Sequence, residues 1–90
     1  SPAPGLALAV VISGRGSNMA AIAQACARGM IAARVVRVIA DRPEAGGIDV
    51  AHSLGLETAV VAARDFADRA AFEQALGAAI DASGARLVVL

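Results

Sequence analysis

A regular alternation between short apolar runs and segments of helix-forming residues restricts this 90-residue chain to few folds. Runs rich in aliphatic and β-branched residues predict four strands, at positions 6–12, 34–40, 56–61 and from 87 onward. The segments between them predict helices at 18–28, at 48–54 and after position 68. Strands and helices that alternate at this spacing form right-handed βαβ units. We therefore expect an α/β, Rossmann-like three-layer sandwich with a parallel sheet in the strand order 3-2-1-4.

Local side chains predict where two of the helices begin and end. Ser17 or Asn18 is expected to cap the first helix, and Gly29 stands where a helix commonly ends in a glycine. Asp68 is expected to cap the third helix, because its carboxylate can accept a hydrogen bond from an N–H of the first turn.

Two apolar features stand out in the second half of the chain, one in the third predicted helix and one in the last predicted strand. Phe72, Leu76 and Ile80 are spaced at i, i+4 and i+8, which predicts a stripe of the third helix that faces the sheet. The last run, 87–90, is apolar enough for a central, fully buried strand, whereas domains normally end in exposed polar linkers. We therefore interpret the chain as the front half of a larger domain.

Composition narrows the class of protein and its partners. Hydrophobic residues make up 58% of the chain and charged residues 18%, which is typical of a globular protein. Eight basic residues balance eight acidic ones, so no basic field attracts nucleic acid or an anionic membrane. The run 6–12 is too short to span a bilayer, and the single cysteine, Cys26, has no partner for a disulfide within the chain. These features predict a cytoplasmic protein.

The segment between the first strand and the first helix, "SGRGSN" at 13–18, is the main candidate for a binding site. In a doubly wound sheet, ligands bind beyond the carboxyl ends of the strands where the strand order reverses, here between strands one and four. Gly14 and Gly16 permit a tight turn and a close backbone approach, so that N–H groups at the start of the helix can converge on an anion. A phosphate group is the ligand that this arrangement predicts.

Three other interpretations of this loop differ in how well the sequence supports them. A nucleoside-triphosphate P-loop requires a lysine, and the chain contains none. A dinucleotide loop, Gly-x-Gly-x-x-Gly, matches at Gly14 and Gly16 but has Met19 at its third position, although Asp41 after the second strand could bind a ribose hydroxyl. A plain strand-to-helix turn with Asn18 as its cap requires no ligand.

Most of the chain resembles a known enzyme family. The segments "AVVISGRGSNMAAIAQAC", "VVRVIADRPEAGGIDVAHSLGLETAVV", "DFADRAAFEQAL" and "ARLVVL" are similar to the phosphoribosylglycinamide formyltransferases of purine biosynthesis. The resemblance implies the formyltransferase fold and transfer of a formyl group from 10-formyltetrahydrofolate to glycinamide ribonucleotide. It implies that Gly16, Ser17 and Asn18 contact the substrate phosphate and that Arg69 contacts the formyl-folate.

The resemblance also implies what the chain lacks. The catalytic Asn, His and Asp of the family lie beyond the fourth strand, so residues 1–90 are expected to be the amino-terminal, phosphate-binding part of one formyltransferase domain whose carboxy-terminal catalytic half is absent. We expect this truncated chain alone to be inactive. Two alternatives remain: the amino-terminal half of a dinucleotide-binding Rossmann oxidoreductase, and a noncatalytic module that pairs through exposed strands one and four. A homodimer is left open.

The remaining chemically interesting residues are expected to have structural roles. Arg15 replaces a residue that is commonly uncharged in the family, and its side chain is expected to point to solvent. Cys26 is expected in the core, and His52 has no partner at metal-ligand spacing, so it is expected to be exposed or capping and no metal site is predicted. For Asp41 a role on the polar rim or as a cap is favoured over ligand binding.

Overall fold

The computed structural model describes residues 6–30 and 32–89 as a parallel four-stranded sheet with three helices. In chain order the elements are β1 (Leu6–Ile12), α1 (Ser17–Ala27), β2 (Ala33–Ala40), α2 (Gly47–Ser53), β3 (Thr58–Val60), α3 (Arg69–Ser83) and β4 (Leu87–Val89). A single 3₁₀ turn at Ala63–Asp65 lies between β3 and α3. The strands lie in the order β3-β2-β1-β4, which confirms the predicted α/β class and strand order.

β1 lies inside the sheet and therefore fixes the position of the loop that follows it. It pairs in parallel with β2 on one side and with β4 on the other. The register with β2 shifts after Leu8, which leaves Val36 as an extra residue and makes a bulge. Because of the bulge, Val35 and Val38 both face α1 and α2, while the Arg37 side chain reaches α3 on the opposite face.

The best-packed part of the molecule lies between the sheet and the pair α1 and α2. Its buried members are contributed by β1, β2, both helices and the segment before α2: Val10, Ile12, Met19, Val38, Ala40, Ala45 and Ala51. Met19 and Val38 are completely shielded from solvent. The loop between β1 and α1 therefore starts and ends on residues of a close-packed core, which limits how far it can move.

The helix ends confirm two of the predicted signals and correct one. Gly29 adopts φ +76° after α1, and the Asp68 carboxylate accepts a 2.8 Å hydrogen bond from the N–H of Ala71, as expected. The cap of α1 was predicted wrongly, since Gly16 occupies the N-cap position and no side chain accepts a capping hydrogen bond. The left-handed conformation of Gly16, with φ 72° and ψ 26°, starts the helix one residue early, so that Ser17 and Asn18 become its first two residues.

The helix α3 is less buried than expected, and the strands at the sheet edges are partly exposed. Phe72, Leu76 and Ile80 are all half-buried, and α3 contributes no fully buried residue to the described structure. Within the described residues β4 is an edge strand, as the predicted strand order requires, and its Leu87 is 49% exposed. The burial expected for this strand in a larger domain stays a prediction. The edges are therefore β3 and β4, and β1 is not available for the pairing considered above.

Across residues 6–30 and 32–89, no helix is both long enough and apolar enough to cross a membrane.

Candidate functional site

A cleft of about 220 Å³ opens where β1 and β4 end. Its wall is formed by Ser13, Gly14, Gly16, Ser17 and Asn18 together with apolar side chains of β1, α1 and β4. β1 and β4 are the neighbouring strands between which the strand order reverses, so the cleft lies at the topological switch point where ligands bind in such sheets. The structure thus brings Gly16, Ser17 and Asn18 to one cavity.

Gly16 is the residue that the conformation of this loop requires to be glycine. Its φ of +72° is a left-handed conformation that side chains disfavour. A Cβ placed there would lie 2.9 Å from the Cα of Gly47 and 3.1 Å from the Cε of Met19. Gly14 has neither property, because its φ lies outside the left-handed range and an added Cβ would meet nothing within 4 Å. Both glycines belong to the sequence motif, but the backbone conformation of the loop requires a glycine only at position 16.

The start of α1 presents hydrogen-bond donors to the cleft. The first backbone bond of the helix runs from the N–H of Ala20 to the carbonyl of Gly16, at 2.9 Å. The N–H groups of Ser17, Asn18 and Met19 precede it and have no acceptor within a helix of this geometry. Since no side chain caps the helix, the described residues leave these donors open to a ligand. The exposed side chains of Ser17 and Asn18 add a hydroxyl and an amide at the cleft wall.

The electrostatics of the cleft come from dipoles and not from charged side chains. No arginine or lysine is part of its wall in the described ranges. Arg15 is exposed and lies outside the lining, in agreement with the orientation expected for it. The partial positive charge of the eleven-residue helix α1 therefore faces the cleft without competition, which favours an anionic group there.

Gly47, which the sequence indicated only as part of a turn, contacts the loop directly. It is buried at the first position of α2, and its N–H donates a 2.9 Å hydrogen bond to the carbonyl of Gly14. Its backbone lies so close to Gly16 that no side chain fits between the two. The doublet Gly46–Gly47 was the only signal in the sequence, and a doublet does not indicate which distant segment it contacts.

Arg69 is not brought to this cleft. It is the first residue of α3, its side chain is 82% exposed, and its Nε lies 3.0 Å from the Glu73 carboxylate. An arginine in this position is accessible to a ligand that approaches from solvent. Its assignment to a folate contact stays a prediction.

Asp41 lies beside a second cleft, of about 270 Å³, and its main contacts are with the backbone. Its N–H donates to the carbonyl of Ile12, and its carbonyl accepts from the N–H of Ala63, so it connects the ends of β1 and β3. Its carboxylate lies 3.5 Å from the Nε of Arg42. Asp41 does not line the cleft at Gly16, which weighs against a ribose contact within a dinucleotide site.

Met19 weighs against the dinucleotide interpretation as well. Its side chain is completely buried and reaches the underside of the loop at Gly16. A dinucleotide fingerprint has glycine or alanine at this position so that helix and strand can pack closely. Here the methionine fills that space.

The other residues considered from the sequence lie away from the cleft. His52 is exposed on α2, with its Nε2 2.8 Å from the hydroxyl of Thr58, and Cys26 is half-buried with a free thiol. Within residues 6–30 and 32–89, no three His, Cys, Asp or Glu side chains form a cluster that could hold a metal ion.

Comparisons with known proteins relate the chain to one family. The profile of the family described as "Formyl transferase" matches residues 6–90. The phosphoribosylglycinamide formyltransferase of Escherichia coli K12 is 35% identical over 83 residues, which are 92% of this chain and 39% of that protein. A segment of the bovine trifunctional purine biosynthetic protein adenosine-3 is 31% identical over 83 residues, or 8% of that longer chain.

Solved structures of related enzymes also superpose closely on the backbone of this chain. The glycinamide ribonucleotide transformylase 1 of Symbiobacterium toebii superposes with a TM-score of 0.88 at 36% identity, covering 93% of this chain and 40% of that one. The phosphoribosylglycinamide formyltransferase of Brucella melitensis superposes with a TM-score of 0.86 at 36% identity, covering 93% and 44%. The chain thus spans less than half the length of these relatives.

Proposed function

Because this chain belongs to the formyl transferase family, we propose that it carries the substrate-phosphate site of an enzyme that formylates glycinamide ribonucleotide in purine biosynthesis. The observation that carries the proposal is the cleft at Gly16, Ser17 and Asn18, where uncapped N–H groups of α1 face a cavity at the switch point of the sheet. Two of the relatives named above are described as phosphoribosylglycinamide formyltransferases and a third as a glycinamide ribonucleotide transformylase, which supports a phosphate monoester as the anion.

The loop can hold a phosphate without a charged side chain. The N–H groups of Ser17 and Asn18 donate along the helix axis, and the hydroxyl and amide side chains of the same residues donate from the side. Each hydrogen bond to the charged group contributes about 1.5–3 kcal/mol net, so three of them support binding in the millimolar to micromolar range. Tighter binding of a complete nucleotide requires contacts to its sugar and amide.

The formyl donor, 10-formyltetrahydrofolate, supplies a one-carbon unit at the oxidation level of formate. Arg69 is the residue of this chain proposed to contact it. The guanidinium is exposed and its ion pair with Glu73 is itself solvent-accessible, so the arginine can exchange that partner for a polar group of the folate. The residues present therefore fit a contact with the donor.

Formyl transfer also requires a group that moves a proton and a donor that stabilises the developing oxyanion. The single histidine of the chain, His52, bonds to Thr58 and does not line the cleft. No carboxylate lines the cleft within the described ranges either. We therefore propose that the catalytic groups belong to the rest of the domain and that residues 1–90 alone do not turn over substrate. The single cysteine, which has no disulfide partner within the chain, supports the separate proposal that the complete enzyme acts in the cytoplasm.

Calorimetry with two matched sugars tests the site. Ribose 5-phosphate should bind the purified chain saturably and ribose should not, because only the phosphate can use the N–H groups of α1. Asn18→Ala should weaken ribose 5-phosphate binding by about tenfold or more, the effect of losing one hydrogen bond to a charged group. Equal binding of the two sugars would contradict a phosphate site, and measurable formyl transfer by the chain alone would contradict the proposed division of roles.

A further inference from the structure

The start of α2 packs backbone against backbone on the loop that lines the cleft. Gly47 is buried there, and a Cβ added to it would lie 2.9 Å from the Cα of Gly16, 3.0 Å from the N of Gly16 and 2.6 Å from Cδ1 of Ile12. Gly47 itself is not part of the cleft wall. Any influence of Gly47 on a ligand must therefore act through the loop.

The hydrogen bond from Gly47 determines which way one peptide of the loop faces. The N–H of Gly47 donates to the carbonyl of Gly14 at 2.9 Å. The described structure contains no cis peptide bonds, so the carbonyl of Gly14 and the N–H of Arg15 point in opposite directions. Holding the carbonyl toward α2 therefore turns the N–H of Arg15 away from α2. The following residue, Gly16, then enters its left-handed conformation against the Cα of Gly47.

We infer that Gly47 is a positioning residue for the phosphate loop. Because it has no side chain, α2 can pack directly on the loop. Its N–H fixes the orientation of the peptide between Gly14 and Arg15, and that peptide sets the direction of the backbone N–H groups of residues 15–18. The inference rests on the proposed function, since it assumes that this loop binds phosphate. It assigns Gly47 no contact with the ligand. It predicts that a methyl group at position 47 displaces the loop and weakens binding.

Two neighbouring glycines give a matched pair of variants. Gly47→Ala places a methyl group against the backbone of Gly16, whereas a Cβ at Gly46 would meet nothing within 4 Å. Measured by calorimetry with inorganic phosphate, Gly47→Ala should weaken binding about tenfold or more, comparable to the loss of one charge-assisted hydrogen bond. Gly46→Ala should stay within about twofold of the unaltered chain.

A double variant separates loop positioning from core packing. Of the close contacts at position 47, the one to Ile12 Cδ1 involves the end of a flexible side chain, and the other two involve the backbone of Gly16. Ile12→Val removes Cδ1, so Ile12→Val/Gly47→Ala should regain thermal stability relative to Gly47→Ala and provide a folded protein if the single variant unfolds. Its affinity for phosphate should nevertheless stay about tenfold below that of Ile12→Val alone.

The outcomes distinguish the two proposals. If the unaltered chain binds no phosphate, the proposed function fails and this inference fails with it. If the unaltered chain binds phosphate and the double variant binds as well as Ile12→Val, Gly47 only packs in the core and this inference alone is overturned. Reduced affinity in a folded double variant, with Gly46→Ala unaffected, is the result we expect.

Discussion

Gly16 and Gly14 show how differently two residues of one motif can act. Gly16 has a φ of +72°, and a Cβ added to it would clash with the backbone of Gly47. Gly14 has a φ outside the left-handed range, and a Cβ added to it would meet no atom of the described residues within 4 Å. That both glycines, with Ser17 and Asn18, lie in one loop beside a cleft could be predicted from the sequence because the motif is local. Gly47 could not, because its role depends on a contact with residues more than thirty positions away that only the folded sheet creates.

Substitution at the two glycines should therefore have unequal effects. Gly16→Val should lower the free energy of unfolding by at least about 2 kcal/mol, because a β-branched residue is strained in the left-handed region and its Cβ clashes with Gly47. Gly14→Ala should change it by less than about 0.5 kcal/mol. Urea denaturation followed by circular dichroism measures both, and equal losses would contradict the assignment.

Arg15 is the charged residue of the loop, yet its side chain lies outside the cleft wall. Arg15→Gln should reduce ribose 5-phosphate affinity by less than about threefold, because an exposed charge contributes little at physiological ionic strength. Calorimetry at about 0.15 M salt measures this effect. A loss of about tenfold or more would mean that the guanidinium binds the phosphate directly, and Arg42→Gln serves as the control for a change of net charge.

Among the secondary-structure elements, α3 is the one whose packing the sequence predicted least well. Its predicted stripe at Phe72, Leu76 and Ile80 is only half-buried. The sequence could not show that Arg37, on the strand beneath, donates 2.9 Å and 2.6 Å hydrogen bonds from its guanidinium to the Ala79 carbonyl and the Glu57 carboxylate. The bulge in β2 also interrupts the alternation of its side chains between the two faces of the sheet, and it places Arg37 on the face that packs against α3.

The Arg37 side chain is 17% exposed, so it covers apolar surface as well as forming polar contacts. Arg37→Ala should lower the free energy of unfolding by about 1–2 kcal/mol through lost packing. Arg37→Met keeps most of that packing and removes a mostly buried charge, so it should stay within about 1 kcal/mol of the unaltered chain. Thermal denaturation compares the two, and an equal loss in both variants would show that the polar contacts dominate.

For the molecule as a whole, right-handed crossovers together with the doubly wound pattern of α/β sheets predicted the strand order 3-2-1-4. The exposure of the strands could not be predicted in the same way. The sequence of an apolar run such as 87–90 does not show whether a neighbouring strand covers it. In the described structure β4 lies at an edge of the sheet. Leu87 on β4 and Val60 on β3 are 49% and 45% exposed.

Such edges predict self-association. An edge strand offers unpaired N–H and carbonyl groups to a second copy, and the exposed leucine adds apolar contact area. Sedimentation velocity should show a concentration-dependent shift toward dimers, which Leu87→Lys reduces. Leu54→Lys changes an exposed leucine at the end of α2 and should leave the shift unchanged. A monomer at every concentration would contradict pairing through the sheet edge.

The most direct test of the phosphate site is a titration of the ¹⁵N-labelled chain with ribose 5-phosphate, followed by the amide resonances of each residue. We predict saturable shifts for the amides of Arg15, Gly16, Ser17 and Asn18, with one common dissociation constant and little change along α3. The absence of shifts at Ser17 and Asn18, or shifts spread over the exposed arginines, would contradict the assignment of this loop as the substrate-phosphate site.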